Sequence, residues 1–196
     1  LNSGISDGLD KILANKNSGA RDVLVFLSGE REIFETAKFL RQLYQNQIEV
    51  LPLYSRLRVS DQEKIFTNKG SLRRVILATN VAETSVTVPN IGYVVDPGLA
   101  RVNRYSYRSK LERLPIEPIS KASAEQRKGR CGRIAPGTCY RLYDEADFLT
   151  RPEFADPEVQ RVNLASVLLR MEGLKLGQIE SFPFVDPPQE SAIRDA

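Results

Sequence analysis

The stretch of this sequence best suited to chemistry is Gln126-Arg127-Lys128-Gly129-Arg130-Cys131-Gly132-Arg133. At ~100° per residue a helix would hold Gln126, Arg130 and Arg133 within roughly 60° of one another. Two guanidiniums and a carboxamide would then share a face. A guanidinium offers two parallel N–H donors to a phosphate and keeps its charge at every relevant pH. If the phosphate is being transferred, an arginine delivered to the γ-phosphoryl oxygens is worth on the order of 10³ to 10⁵ in rate. Gly129 and Gly132 would leave the flank open to another chain or a ligand. The plainer alternative is a solvated basic face. It leaves unexplained two glycines that would cost a surface helix about 1 kcal/mol each.

Charge is concentrated around the same stretch. The 196-residue chain has a net charge of only +3. Between Arg101 and Arg133, however, ten basic residues face three acidic ones, and the remainder of the chain is net acidic. That pattern suits a polyanionic partner, either a nucleotide or a nucleic-acid backbone, and equally a solvated surface. The sequence has no histidine and two cysteines, Cys131 and Cys139. Ser-His and Cys-His hydrolysis are excluded, and a zinc site with its four ligands is not expected. With no basic-then-apolar leader, the two thiols read as reduced, in a cytoplasmic protein. No apolar run approaches the ~20 residues of a membrane span. The opening Leu1-Asn2-Ser3-Gly4 reads as a cut inside a longer polypeptide.

The elements that must position these residues alternate. Val23–Leu27 is a near-continuous apolar run, as in a strand covered on both faces. Ser28 can cap a helix running to Leu43, with Ile33, Ala37, Leu40 and Tyr44 as its apolar stripe. Further strands are predicted at Glu49–Leu53, Arg73–Ala78, Ile91–Asp96 and Thr138–Leu142. Capping boxes at Ser60–Glu63 and Ser123–Gln126 predict helices to about Phe66 and Cys131. Ala100–Pro118 reads as a protruding β-hairpin. After Thr150, proline-punctuated sequence holds a helix at Leu164–Met171. The fold class is therefore α/β: a parallel sheet with helices on both faces, a β-hairpin and a short, mostly helical extension. Chemistry is expected in the loops after Leu27, Leu53, Ala78 and Asp96, at the carboxyl ends of the strands.

The arginine string resembles motif VI, QRxGRxGR, of superfamily-two helicases of the DEAH-box class. DEAD-box enzymes typically open that motif with His, where this chain has Gln126. Ala78-Thr79-Asn80-Val81-Ala82-Glu83-Thr84-Ser85-Val86-Thr87-Val88, followed by Tyr93-Val94-Val95-Asp96-Pro97-Gly98, is similar to the DEAH motif V. Leu24–Ile33 looks like motif IV, and Pro52–Ser55 with Gln62 and Phe66 like motif IVa. The resemblance covers essentially the whole chain, and the HrpA-like bacterial branch is most similar, on Asn163–Val167 and Phe182–Phe184.

The resemblance implies the second of two RecA-like domains that close around ATP, with residues 1–150 forming it and 151–196 beginning a helicase-associated, winged-helix-like domain. It makes Arg130 and Arg133 arginine fingers and places Gln126 near the γ-phosphate and attacking water. Ser85 and Thr87 become γ-phosphate sensors, and Phe66 stacks on the base, in contrast to its other reading as a core residue ending an amphipathic helix. Ser28, Gly29, Arg31, Thr79 and Asn80 are placed against single-stranded RNA. The family often has Asp where this chain has Pro89, so a ribose or Mg²⁺-water contact is not carried over. The sequence contains no G-x-x-x-x-G-K-[ST] and no Asp-Glu-Ala-His. ATP or another NTP, with Mg²⁺, would thus be held mainly by a first RecA-like domain outside this chain. Two other readings stay open: a DNA-directed or viral-type motor of the same superfamily, and a non-catalytic RNA-binding module.

Overall fold

Five strands, apolar along most of their length, form one parallel sheet in the computed structural model, which describes residues 1–15, 22–67 and 70–196. The elements begin with α1 (Asn2–Ala14), β1 (Asp22–Phe26), α2 (Glu30–Leu43), β2 (Ile48–Leu53) and α3 (Val59–Phe66). They continue with β3 (Arg73–Ala78), α4 (Val81–Thr84), β4 (Ile91–Asp96) and four short strands, β5 (Leu99–Arg101), β6 (Arg104–Ser106), β7 (Leu111–Arg113) and β8 (Ile116–Pro118). Then come α5 (Lys121–Lys128), β9 (Thr138–Arg141), α6 (Glu145–Thr150), α7 (Ala165–Gly173) and α8 (Glu190–Asp195). The sheet order is β2-β3-β1-β4-β9, with every neighbouring pair parallel.

Period-two alternation builds two cores from the same strands. Val23, Val25, Val50, Val75, Leu77, Tyr93 and Val95 point to one face and pack under Ile5, Leu9 and Ile12 of α1 and Ile33, Ala37 and Leu40 of α2. Leu24, Phe26, Leu51, Leu53, Ile76, Ala78 and Val94 point to the other and meet Ile65 of α3 and Ala82 of α4. The expected helices on both faces are present. Helix α1 was not anticipated, although Ile5, Leu9 and Ile12 recur at the spacing of an apolar helix stripe.

Contacts divide the chain into two compact units, residues 1–100 with 117–154, and residues 101–116 with 155–196. In the first unit Arg151 is buried. Its Nε and Nη2 meet the Asp147 carboxylate at 3.1 and 2.6 Å, its Nη1 donates to the Gly98 carbonyl at 3.0 Å, and the guanidinium lies over the Tyr143 ring, 4.0 Å from its centroid. In the second, β6 and β7 pair antiparallel as the predicted hairpin, and Tyr105 and Tyr107 meet edge to face at 5.1 Å. Leu164, Met171, Ile179 and Ala192 form a small core there. No helix among the described residues is long and apolar enough to cross a membrane.

Three caps differ from expectation. Gly29, not Ser28, is the N-cap of α2, and the Ser28 N–H donates to the Glu32 carboxylate at 2.9 Å. Helix α3 starts at Val59 with Arg58 at its N-cap and no side-chain cap, so Ser60 and Glu63 lie inside the helix rather than at its cap. Helix α5 starts at Lys121 because Ser120, not Ser123, is its cap, accepting from the Ser123 N–H at 3.2 Å. At the sheet edge, β2 has one of its carbonyls, that of Val50, taken by Arg41 at 2.9 Å.

Gly98 has φ +74°, and a Cβ there would lie 2.5 Å from the Tyr143 ring and 2.7 Å from Arg151. Gly98→Ala is expected to lower stability by at least about 2 kcal/mol, since backbone strain and overpacking add. Urea denaturation followed by circular dichroism measures it; an unchanged midpoint would remove Gly98 from the structural account.

Candidate functional site

The carboxyl ends of β1, β2, β3 and β4 open onto one rim, and most of the sequence-predicted residues lie along it. Ser28 and Gly29 follow β1 directly. Ser28 is buried and its hydroxyl has no hydrogen-bond partner, while Arg31, one turn on, is exposed and paired with Glu35 at 2.8 Å. Thr79 follows β3, and its N–H donates to the Leu53 carbonyl at 3.2 Å, which ties the ends of β3 and β2 together. Asn80 is exposed and occupies the N-cap of α4. Ser85 closes that helix, with its N–H on the Val81 carbonyl at 3.2 Å, and Thr87 follows in the open. One four-residue helix therefore has the polar pair Thr79–Asn80 at one end and the hydroxyls of Ser85 and Thr87 at the other.

Beside α4 is a buried ionic cluster that sequence reasoning did not single out. Arg127 of α5 is fully buried. Its Nε donates to the Glu83 carboxylate at 2.9 Å, and its Nη1 to Asp96 at 2.8 Å and to the Leu99 carbonyl at 3.2 Å. The guanidinium lies over the Phe26 ring, 4.6 Å from its centroid. Asp96, at the end of β4, also accepts from the Gly98 N–H at 2.9 Å. A signal was present: Ala124, three residues earlier, is buried on the apolar side of α5, and helical spacing puts Arg127 on that side. Paired this way, the charges offset part of each other's desolvation, which a lone buried ion could not, while Arg127 Nη2 and Asp96 Oδ2 are buried without a hydrogen-bond partner.

The predicted arginine helix is shorter than expected. It ends at Lys128, so Arg130 and Arg133 lie in the turn and bend that follow, not on a common helix face with Gln126. Gly129 is the C-cap with an ordinary right-handed backbone, and Gly132 has φ +79°, which reverses the chain beyond it. Gly132 thus turns the backbone. Gly137 packs on this bend so closely that a Cβ would sit 2.5 Å from the Gly132 nitrogen.

Both arginines lie on this bend, each turned to a different backbone carbonyl. Arg130 donates through Nη2 to the backbone carbonyl of Glu83, and its Nε is buried without a partner. Arg133 is exposed, with its Nε on the Gly129 carbonyl at 3.2 Å. Burial first, and the positive charge of Arg133 second, hold the Arg130 guanidinium below its ordinary range, against the opposing pull of Glu83. With the Glu83 carboxylate already engaged by Arg127, this is a site whose electrostatics favour an incoming anion. Gln126 is exposed on the last turn of α5. Phe66 ends α3 with 47% of its surface exposed, while the neighbouring Ile65 is buried. The core reading of Phe66 is thus excluded, and a ring face is free for stacking. Cys131 and Cys139 are free thiols, and burial pushes Cys139 up to about 12. No group of three or more metal-ligating side chains occurs among the described residues.

The model of the helicase conserved C-terminal domain matches residues 6–135. The chain belongs to this family. Among its relatives, a Haemophilus influenzae protein described as an ATP-dependent RNA helicase HrpA homolog is 57% identical over 98% of the chain. The Escherichia coli ATP-dependent RNA helicase HrpA is 58% identical over 97%, and human DHX34, described as a probable ATP-dependent RNA helicase, 45% over 89%. The chain spans only 14%, 14% and 16% of those proteins. The crystal structure of the E. coli DExH-box NTPase HrpB superposes with a TM-score of 0.86 at 30% identity, covering all of this chain and 24% of that one. A helicase C-terminal domain of DEAH-box type accounts for the parallel sheet and for both motif strings.

The buried cluster and the arginine bend should respond differently to mutation. Arg127→Met strands Asp96 and Glu83 and is expected to cost about 3–5 kcal/mol. Arg133→Ala, on the surface, should stay within about 0.5 kcal/mol of the parent. Paired urea titrations decide; equal losses for both would mean that Arg127 is not a structural centre.

Proposed function

We propose that this helicase C-terminal domain is the second motor half of an ATP-dependent RNA helicase. In this reading it offers Arg130 and Arg133 to the γ-phosphate of ATP held by a first RecA-like domain, and grips single-stranded RNA along the β1–β3 rim. The observation that carries the reading is the Arg130 guanidinium, held on the Glu83 carbonyl with its Nε buried and unpartnered, on the same bend after α5 that carries the exposed Arg133. Negative charge building on a transferring phosphoryl group would be met there by donors already in place.

The remaining roles follow from position. Ser85 and Thr87 are exposed hydroxyls at the end of α4, able to donate to a phosphate oxygen or accept from the attacking water. Gln126, exposed one turn before Arg130, would orient that water. Phe66 would stack on the base, a contact that discriminates poorly among nucleotides because every base has a π-face. Ser28, Gly29, Arg31, Thr79 and Asn80 would hold the phosphate backbone, which positions a strand without reading its sequence. Mg²⁺ would be held by the first domain, since this chain has neither a phosphate-cradling glycine loop nor an acidic motif for the ion. Residues 151–196 would begin a helicase-associated domain, and the hairpin between β6 and β7 would separate strands.

In the polypeptide that carries both motor halves, Arg130→Ala and Arg133→Ala are expected to reduce ATP hydrolysis about 10³-fold or more, while RNA affinity stays near the parent's. The chain alone should release no phosphate above background. Unchanged hydrolysis in both variants would reject the finger role and favour a non-catalytic RNA-binding module. Matched RNA and DNA oligonucleotides in the same assay separate an RNA-directed from a DNA-directed motor.

A further inference from the structure

Helix α2 turns a mixed face to solvent. Arg31, Phe34 and Lys38 recur on it at spacings of three and four, and all are exposed. Phe34 has 56% of its surface exposed, and its ring meets that of Tyr54 edge to face at 6.0 Å. Tyr54 is half-buried against the core that α2 covers, so its ring is fixed and steadies Phe34 in turn. A T-shaped contact occupies at most one face of the Phe34 ring. Tyr54 stands where β2 ends. Leu53 is in register with Ala78, and its carbonyl accepts from the Thr79 N–H, so Tyr54 lies beside Thr79, one strand spacing of about 4.8 Å toward the sheet edge. A turn closed by the Leu57 N–H on the Tyr54 carbonyl at 3.0 Å then presents Arg56 to solvent. Lys38 and Arg56 form no ion pair among the described residues, whereas Arg31 is paired with Glu35.

We propose that Phe34, steadied by Tyr54, is a stacking platform for one base of single-stranded RNA, with Lys38 and Arg56 taking the adjoining phosphates. The proposal rests on the reading of the domain as an RNA-gripping motor half. It adds a base contact to a rim where Ser28, Gly29, Arg31, Thr79 and Asn80 were assigned to the backbone. Three observations select this occupant. An aromatic ring between exposed cations matches the alternation of base and phosphate in a single strand. An apolar protein surface docked there would desolvate both cations with no counter-charge. The pair also continues the row that runs from Gly29 after β1, through Thr79 after β3, to Tyr54 after β2, so a strand following that row meets it next. Finally, the ring is already held, and little side-chain freedom is lost on binding. Stacking tolerates every base. Phe34 therefore adds affinity and fixes the place of one nucleotide without reading sequence.

The test uses the polypeptide carrying both motor halves. Its probes are a single-stranded RNA oligonucleotide and a series of the same oligonucleotide with one abasic position each. Phe34 is exposed, so Phe34→Ala should keep the parent's thermal midpoint. Phe34→Ala is expected to weaken binding of the intact oligonucleotide about tenfold with no change in salt dependence, and Phe34→Tyr to stay near the parent. Arg56→Ala should instead lower the slope of log affinity against log salt by about 0.7. One abasic position should weaken the parent by a factor similar to Phe34→Ala and leave Phe34→Ala itself unaffected. Parent-like affinity in a folded Phe34→Ala, or the same abasic penalties in parent and variant, overturns the proposal. A lowered thermal midpoint with unchanged RNA affinity also overturns it and gives Phe34 to a protein contact. A parent that does not bind the intact oligonucleotide overturns the underlying reading of the domain instead.

Discussion

The buried guanidinium of Arg127 is the interaction on which the functional rim depends. It joins three segments distant in sequence: Glu83 on α4, Asp96 at the end of β4, and α5 itself, all above Phe26 of β1. Apolar burial explains why the sheet and its two helical layers form, but apolar contacts are non-directional and would tolerate sliding of α4 against α5. A planar donor with two fixed carboxylates does not. The cluster costs desolvation energy, recovered only while both partners stay in place. Its contribution is thus mainly to specify geometry at the point where two polar regions of the rim meet.

Those two regions occupy different parts of the same edge. Around β1 and β3 the rim carries mostly neutral groups, the part-exposed Gly29 and Thr79 and the exposed Asn80 beside a buried Ser28, with Arg31 paired to Glu35. Around α5 they are guanidiniums. The strand order makes this division, because β1 sits between β3 and β4 and the helix carrying Glu83 bridges from one side to the other. The arrangement places a largely neutral polar surface and a cationic one a single helical turn apart.

Much of the fold was legible because its signals were local and repeated. Arg73–Ala78 and Ile91–Asp96 read directly as strands, and the Ile33, Ala37, Leu40 and Tyr44 stripe is buried as its spacing implied. Helix termini were less legible. Ser60 and Ser123 each satisfied a capping pattern, but α5 is capped upstream by Ser120 and α3 begins at Val59 with no side-chain cap at all. The arginine segment shows the limit most clearly. Helical phase put Arg130 and Arg133 on one helix face; the structure puts them instead on the bend beyond the helix, Arg130 turned to the Glu83 carbonyl and Arg133 to that of Gly129. Arg127 was hidden for a different reason. A charged residue inside a basic run does not by its type suggest burial; only its helical phase with Ala124 did, and its partners Glu83 and Asp96 lie 44 and 31 positions away.

The Arg41 side chain laid across β2 bears on how the molecule behaves among its neighbours. An outermost strand with open carbonyls invites a strand from another copy to continue the sheet. Here the Val50 carbonyl is already occupied by a cation from the chain's own helix. A second copy approaching that border would have to displace a charged donor before it could bond at Val50. The middle of that flank is thereby less open to a sixth strand.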